Sequence, residues 1–405
     1  MTNVMDCDVA IVGGGLAGAS LAVALHGTPL RVVLIEAVSD EARLASGAGD
    51  RGIALAQGSA ELLDRLGLWA GARDKATPIR KIHVSDRGHF GKARIDAEQE
   101  KVDALGYVIA ARELERQAIA ALSDLAIERI VPGRVIGAKA GPDSICLTVR
   151  QDDAERHINA RLLVGADGGD SSVRRLLEIG EEVTDYGQVA VTATVKPQRD
   201  PAGLAFERFT PEGPLALLPT ENRCCAVVWT RKPEQAESLM ALSDERFTAE
   251  LQAAFGQWLG RLTLCAPRRK FPLKLVRARR LTVPRAVLIG NAAHQLHPVA
   301  GQGFNLGLRD AARLAEMLAA AAEAGVDVGA PDLLERFAVE RTRDHDRVIG
   351  FTDSMVKWFS TEQPAAALAR NIGMVLLDHI PAAKRFLARQ AMGRGWRSPR
   401  LPLGK

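Results

Sequence analysis

The residues from Leu288 to Gly307 gather most of the chain's chemical possibilities into one strand–loop–helix turn: Gly290, Asn291, His294, His297, Pro298, Gly301, Gln302, Gly303 and Asn305. Pro298 stiffens the loop, and Gly301 and Gly303 leave its main chain bare. A bare main chain offers N–H groups on which a planar ligand can rest and toward which negative charge can develop. His294 and His297 are the loop's titratable side chains. Each either relays a proton or bonds backbone or ligand, the usual task of a loop histidine.

A second glycine loop begins the chain. Asp8–Val12 is an apolar run suited to a buried parallel strand. It leads into Gly13-Gly14-Gly15-Leu16-Ala17-Gly18, which fits G-x-G-x-x-G; Ala19–His26 reads as a small-residue helix, and Arg31–Ile35 as the next strand, closed by Glu36. Gly13 allows the tight turn, Gly15 lets a pyrophosphate approach the backbone, and Gly18 lets helix and strand pack closely. The helix N-terminus offers free N–H groups and a positive dipole end to phosphate. Glu36 suits the two hydroxyls of an adenosine ribose and repels a 2′-phosphate, so NADP is not expected at this first site. The unit predicts a bound dinucleotide and leaves FAD and NAD open.

A third segment, Ala160–Gly169, is a strand ending at Asp167-Gly168, with Ser171 or Ser172 as a helix N-cap. Asp167 lies at the carboxyl end of a parallel strand, where open α/β sheets bind ligands, although Asp-Gly is also an ordinary turn. Further helices are predicted at Ser59–Leu68, from Arg112, at Phe247–Trp258, Leu306–Ala322 and Pro331–Arg347. Between Val183 and Pro272 apolar runs alternate with polar residues, the pattern of an antiparallel sheet on the substrate side of a cleft. Tyr107, Phe206 and Trp229 either line a ring pocket there or pack in the core; His83 and His89 carry no assignment.

Composition bounds the rest. The 405 residues are 47% apolar and 25% charged, as in an ordinary soluble protein with room for two lobes. No export signal and no transmembrane helix are expected, since no apolar run reaches about 18 residues. Cys7, Cys146, Cys224, Cys225 and Cys265 show no framework spacing, so reduced thiols, a cytoplasmic location and no metal site are expected. The net charge is +4, but Lys384–Lys405 holds seven Lys or Arg residues and no acid. That end is either a solvated tail or a contact for an anionic membrane surface or acidic partner. It has one Trp, Trp396, and no aromatic series, so nucleic acid is not expected as a partner.

The segments Gly13–Gly18, Gly165–Arg174 and Gly290–Asp310 match, in order and spacing, three motifs of the single-component FAD-dependent aromatic hydroxylases. Leu296–Asp310, Arg51–Leu55 and the ending Lys384–Gly393 are similar to the branch that works in ubiquinone biosynthesis in bacteria and mitochondria. The resemblance covers most of the chain. It implies an α/β fold: a Rossmann-like FAD-binding domain (residues 1–75, 101–182 and 276–345) interleaved with an antiparallel-sheet substrate domain (76–100 and 183–275), and a helical C-terminal segment (346–405).

The resemblance also implies roles. Gly13, Gly15, Gly18 and Glu36 would hold the ADP half of FAD, with Arg51 and Arg112 on its phosphate and ribityl side. Asp167 would contact both FAD and a pyridine nucleotide, although Gly169-Asp170 stands where Ala-Asn is usual. Gly290, Asn291, Gly301, Gly303 and Asn305 would hold the flavin side. Asn291 replaces the usual Asp, as in the subgroup acting on a polyprenyl-methoxyphenol; it keeps an acceptor and gains two donors. The loop Pro298, Gly301, Gln302 and Gly303, with His294 or His297, would be the working surface for transfer of oxygen from a flavin C4a-hydroperoxide to an electron-rich ring. The implied partners are a polyprenyl phenol, O₂, and NAD(P)H or a redox protein, with a biosynthetic complex or peripheral contact at the inner membrane through Ile372–Leu377 and the basic tail. The sequence has no second G-x-G-x-x-G unit for NAD(P)H. Three rivals stand beside this reading: a hydroxylase of a soluble phenol using Arg208 or Arg223, a non-catalytic flavoprotein of a complex, and a flavin reductase or dehydrogenase.

Overall fold

The computed structural model of the protein describes residues 4–46, 49, 52–296, 302–359, 364–395 and 399–401. Arg51, His297, Pro298 and Gly301 lie outside the described residues.

Apolar runs build the first sheet. Val4–Val12 pairs in parallel with Val32–Ile35 on one side and Ala154–Gly165 on the other; Ala286–Leu288 lies beyond, parallel to Ala154–Gly165. Glu128–Ile130 and Thr282–Val283 close the two edges, and an antiparallel ribbon, Arg134–Ala140 with Ile145–Gln151, branches from Ala154–Gly165. The register matters most. Val12 stands opposite Gly165, and Gly165 opposite Leu288. Three loops that are far apart in sequence therefore leave one sheet edge side by side. The contacts continue past the strand ends, where the Ala166 amide donates to the Val12 carbonyl (2.7 Å) and the Ile289 amide to that of Gly165 (2.9 Å).

Helix Leu16–Leu25 is buried from Gly18 to Leu25, as its run of small apolar residues requires. It shares a core with Val9 and Ile11 of the sheet, Leu308 and Leu314 of helix Gln302–Glu323, and Phe337 of helix Pro331–Phe359.

The second sheet runs His294–Gln295, Leu262–Ala278, Glu181–Pro197, Cys224–Arg231, Gly213–Thr220, Leu204–Thr210, Lys81–Asp86, Lys92–Asp96. Its pairings are antiparallel except that between Leu204–Thr210 and Lys81–Asp86. One face packs Trp229, Leu215 and Val227 against Phe247 and Phe255 of helix Asp244–Phe255 and against helix Pro233–Ala241, which the sequence pattern did not predict. A separate three-stranded sheet joins Gly52–Ala56, Gly106–Ala110 and Thr77–Ile79.

Two expectations change. The turn after Leu288 is not a plain loop: Gly290–Ala292 is a 3₁₀ turn, and His294–Gln295 joins the second sheet through Val276 and Arg277. The motif thus bridges both sheets. The expected start of a separate C-terminal segment at residue 346 falls inside the continuous helix Pro331–Phe359. That helix serves both lobes, because Arg341 and His345 bond Asp310 while Val348 and Thr352 line the central cavity. No helix among the described residues is long and apolar enough to cross a membrane. All five cysteines are free.

Candidate active site

A cavity of about 1610 Å³ spans the carboxyl edge of the parallel sheet, one face of the antiparallel sheet and the C-terminal helices. Pockets for a single drug-sized ligand span roughly 300–1,000 Å³, so this volume suits a dinucleotide and a second molecule together.

At one end the first glycine loop forms a cradle. Gly13 has φ +108, and a Cβ there would lie 2.3 Å from the Ala166 carbonyl oxygen; one on Gly18 would lie 2.0 Å from that of Gly13. Both positions therefore require glycine for the fold itself. Gly15 differs: nothing lies within 4 Å of its would-be Cβ, and it lines the cavity. It caps helix Leu16–Leu25 without a side-chain bond, and no acid stands in the first turn. The positive end of that helix faces the cavity with no acid of its own first turn to neutralise it. Glu36 also lines it, its carboxylate accepting from the Gly14 amide (2.6 Å) and the Val38 amide (2.9 Å).

Arg43 was missed by sequence reasoning. It sits on the short helix Asp40–Ala45, where no spacing marks it. Its guanidinium lines the cavity beside Gly14, and the buried Nη1 and Nη2 have no hydrogen-bond partner among the described residues. Its nearest acid, Asp40, is 3.9 Å away and accepts two 2.7 Å bonds from Arg129. A buried cation with unfilled donors suits an anionic ligand.

Arg112 plays a different part. It is absent from the cavity wall, and its Nη2 donates to the Ser46 carbonyl (3.0 Å), holding the loop after helix Asp40–Ala45. Asp167 does line the cavity, but its carboxylate accepts from Ser171 Oγ (2.5 Å), Ser172 Oγ (2.8 Å) and the Val173 amide (3.0 Å). It caps the helix Ser172–Leu176. Arg174 of that helix is buried and donates to the carbonyls of Ala292 (3.0 Å) and Gly169 (2.8 Å), tying the second loop to the third.

The third loop is fastened from behind by Asp310, buried in helix Gln302–Glu323. Asp310 accepts from the Gly290 amide (3.1 Å), His294 Nε2 (3.0 Å), Arg341 Nε (2.7 Å) and His345 Nε2 (2.8 Å). Burial alone would raise its carboxyl, yet His345, Arg341 and the histidine bonds hold it well below the usual carboxylate range. His294 is not where a proton relay needs it. It is buried, lies off the cavity wall and bonds Asp310; burial, with the nearby His345, lowers it to about 4. Asp310 takes one ring N of each histidine and the Arg341 guanidinium neutralises it, so the four side chains form a buried knot around the Arg341–Asp310 ion pair.

The cavity side of this loop presents Gly290 (φ +58), the exposed Asn291, Gln302 and Gly303. The first turn of the 22-residue helix Gln302–Glu323 carries no acid and opens on the cavity. Asn305 is a clamp: its Oδ1 accepts from the Ala56 amide (2.8 Å) and its Nδ2 donates to the Ala54 carbonyl (3.0 Å), fixing strand Gly52–Ala56 against the helix.

The other end is apolar. Ile82, Val84, Ala205, Leu218 and Met374 are among its lining residues, whereas Phe206, which borders the cavity, packs its ring against Phe255 on the other sheet face. Trp229 is fully buried on the opposite sheet face, and Tyr107 packs edge-on against Trp69, so neither lines this end. Arg208 donates to the Ala254 carbonyl and Arg223 pairs with Asp200; neither reaches the cavity.

Residues 6–352 match the family described as FAD binding domain. The chain belongs to this family of FAD-dependent hydroxylases. The flavoprotein is 39% identical to the ubiquinone hydroxylase UbiL of Rhodospirillum rubrum, over 98% of this chain and 92% of that protein. It is 30% identical to the 3-demethoxyubiquinol 3-hydroxylase of Escherichia coli, over 97% of this chain and all of that one. Its fold is shared with p-nitrophenol 4-monooxygenase PnpA of Pseudomonas putida (TM-score 0.79, 20% identity, 98% of this chain and 100% of that one). It is an FAD-dependent monooxygenase. The donor set fits that cofactor: a cradle that a Cβ at Gly15 would fill, an uncapped helix end, an orphaned buried guanidinium at Arg43, and a paired acid at Glu36.

Proposed function

We propose that the protein hydroxylates the aromatic ring of a polyprenyl phenol or quinol in ubiquinone biosynthesis, using O₂ and a reductant that is NAD(P)H or a redox protein. One observation carries the reading. A single cavity joins the dinucleotide cradle to an apolar chamber, and its wall continues onto the C-terminal helices through Met374, Phe386 and Leu387.

Bound FAD, once reduced, supplies the activation of O₂ that hydroxylation requires. The chain's own residues do the rest. The amides after Gly13 and Gly15, with the helix end, hold the diphosphate, while Glu36 takes the ribose and Arg43 adds positive charge beside it. Gly290, Asn291, Gln302 and Gly303 form the floor on the ring side, as the resemblance also implies for Pro298 and Gly301. Asp310 and His294 hold that floor in place without touching substrate. The apolar sheet face excludes water from the reacting ring.

A polyprenyl chain needs a route from lipid. Ile372, Leu376 and Ile380 are exposed at a spacing of four along and just past helix Pro364–His379, while Asn371 and Met374 are buried. Phe386 is 61% exposed and also lines the cavity, beside Lys384, Arg385 and Arg389 on helix Pro381–Ala391. This surface is proposed to rest peripherally on an anionic membrane and admit the substrate. Arg208 and Arg223, the two arginines considered for a small carboxylated phenol, do not line the cavity.

The test is a deletion strain's prenylated intermediates, read by mass spectrometry and restored by complementation. Accumulation of a ring-deoxy polyprenyl phenol supports the reading and names the position hydroxylated. An unchanged quinone profile would refute it.

A further inference from the structure

Strand Leu204–Thr210 lies inside the antiparallel sheet, between Gly213–Thr220 and Lys81–Asp86. At its centre Glu207 pairs with Ala216 on one side and Val84 on the other. Val84 pairs with Ala93, Ala216 with Val228, and Val228 with Thr192. These six residues form one row across the sheet, and all six line the cavity. Glu207 is the one ionisable side chain in that row. Its neighbours along the cavity face, Ala205, Leu218 and Ile82, are apolar too.

Its half-buried side chain opens to the cavity, and no hydrogen bond or ion pair satisfies its carboxyl among the described residues. Burial pushes it up to about 7, and no neighbouring charge offsets this. The other charged groups on elements packed here are engaged elsewhere: Asp344 with Arg309 and Arg341, Lys274 with Asp185, Lys81 with Asp96, Glu212 with Arg231, and Arg208 with the Ala254 carbonyl. Arg347 lines the cavity from helix Pro331–Phe359 and leaves the Glu207 carboxyl unaffected. Leaving a polar group unmatched on an apolar wall is unfavourable, so a ligand that completes it is the physical explanation for its place.

We propose that Glu207 receives the ring hydroxyl of the substrate, fixes the ring in the apolar chamber and takes the hydroxyl proton as the ring is oxygenated. This rests on the reading of the protein as a phenol hydroxylase. The aryl O–H bond breaks and a carboxyl O–H bond forms. The electron pair stays on the ring oxygen, which makes the ortho and para carbons more nucleophilic toward the O₂-derived oxygen that the hydroxylase reaction supplies. The oxygenated ring is then a dienone. Glu207 returns its proton to the dienone carbonyl as the substituted carbon loses its hydrogen to water, giving an aromatic ring with one added hydroxyl.

The test uses FAD-loaded, full-length wild type, Glu207→Gln, Glu207→Leu and Glu207→Asp with a short-chain prenylated phenol as probe. Probe binding is read across neutral pH from the flavin absorbance and the phenolate band, and product is measured against reductant consumed. Wild type should show a break near neutral pH in binding and turnover. The Gln variant should keep its FAD and bind the probe without that break. Its hydroxylation should fall by roughly 10²- to 10⁴-fold, the usual range for a lost general base, with reductant diverted to hydrogen peroxide. Asp should restore part of the rate, and Leu should melt no lower than wild type. A Gln variant with wild-type turnover and pH profile would overturn the proposal, as would one that loses FAD or its fold. Absence of product from the wild type, with the binding break present, would instead count against the phenol-hydroxylase reading and leave Glu207 as the phenol-binding group.

Discussion

Replacing Gly15 with Ala puts one methyl group into the nucleotide cradle and into nothing else. Gly15 has φ −61 and ψ 175, which any residue adopts, and its would-be Cβ meets no atom within 4 Å. The fold should therefore change by less than about 1 kcal/mol: a small loss at the helix cap is set against reduced freedom of the unfolded chain. The methyl does occupy the space through which a diphosphate reaches the helix N–H groups. Losing one such charge-assisted bond removes about 1.5–3 kcal/mol, which weakens FAD binding by roughly 10- to 100-fold. Fluorescence titration of the apoprotein with FAD and a thermal melt of the same sample read the two effects separately. Gly18→Ala is the contrast. Its Cβ would sit 2.0 Å from the Gly13 carbonyl oxygen, so folding and binding should both fail. If Gly15→Ala bound FAD as tightly as wild type, the diphosphate would not run over this turn and the placement of the cofactor would be wrong.

Asp310→Asn removes one of the two carboxylates that pair with buried Arg341, Asp344 remaining at 2.7 Å, so the loss should stay at or below the roughly 3–5 kcal/mol that breaking a buried pair outright is worth. Urea unfolding should show that loss, and an unchanged midpoint would contradict the knot described for Asp310. Stability should also fall as pH drops from 6.5 toward 4. Over that window the unfolded chain protonates His294 while the folded chain, with His294 lowered to about 4, does not. The gap is worth about 3 kcal/mol at its acid end. His294→Gln should flatten that slope in urea melts taken along the pH series, and a slope as steep as wild type would remove His294 as its source. Asp310 is held lower still, so its own contribution persists above the ordinary carboxylate range and disappears only in stronger acid.

The cradle was legible in the sequence because its parts are contiguous. A buried strand, three glycines, a small-residue helix and Glu36 follow one another within a single βαβ unit, and each type has a local reason. The three separated motifs could be matched to a family, but not placed in space. Their convergence depends on the register of Val12, Gly165 and Leu288, which only the assembled sheet sets. His294 shows the limit of reading residue type alone. A histidine beside glycines suggests proton transfer, whereas its bond to Asp310 and the approach of Arg341 and His345 are contacts across helices. Asp167 is similar, since its bonds from Ser171 and Ser172 were half visible as an N-cap signal, while the sheet register is what brings the same residue to the cavity wall. Glu207 left no signal, because it sits between Phe206 and Arg208 and only the pairing of its strand decides which of the three faces the cavity. Helix Pro331–Phe359 overran its expected end because Val348 and Thr352 continue its inner face against the cavity wall, which a core-based pattern does not anticipate.

As a hydroxylase, this flavoprotein should insert one atom of O₂ into a polyprenyl phenol. Turnover of the FAD-loaded enzyme with a reductant, a prenylated phenol and ¹⁸O₂ measures it directly. The product should carry a single ¹⁸O on the ring and form in step with reductant consumption. Reductant oxidised at full rate with unlabelled phenol recovered and the label in hydrogen peroxide would contradict it.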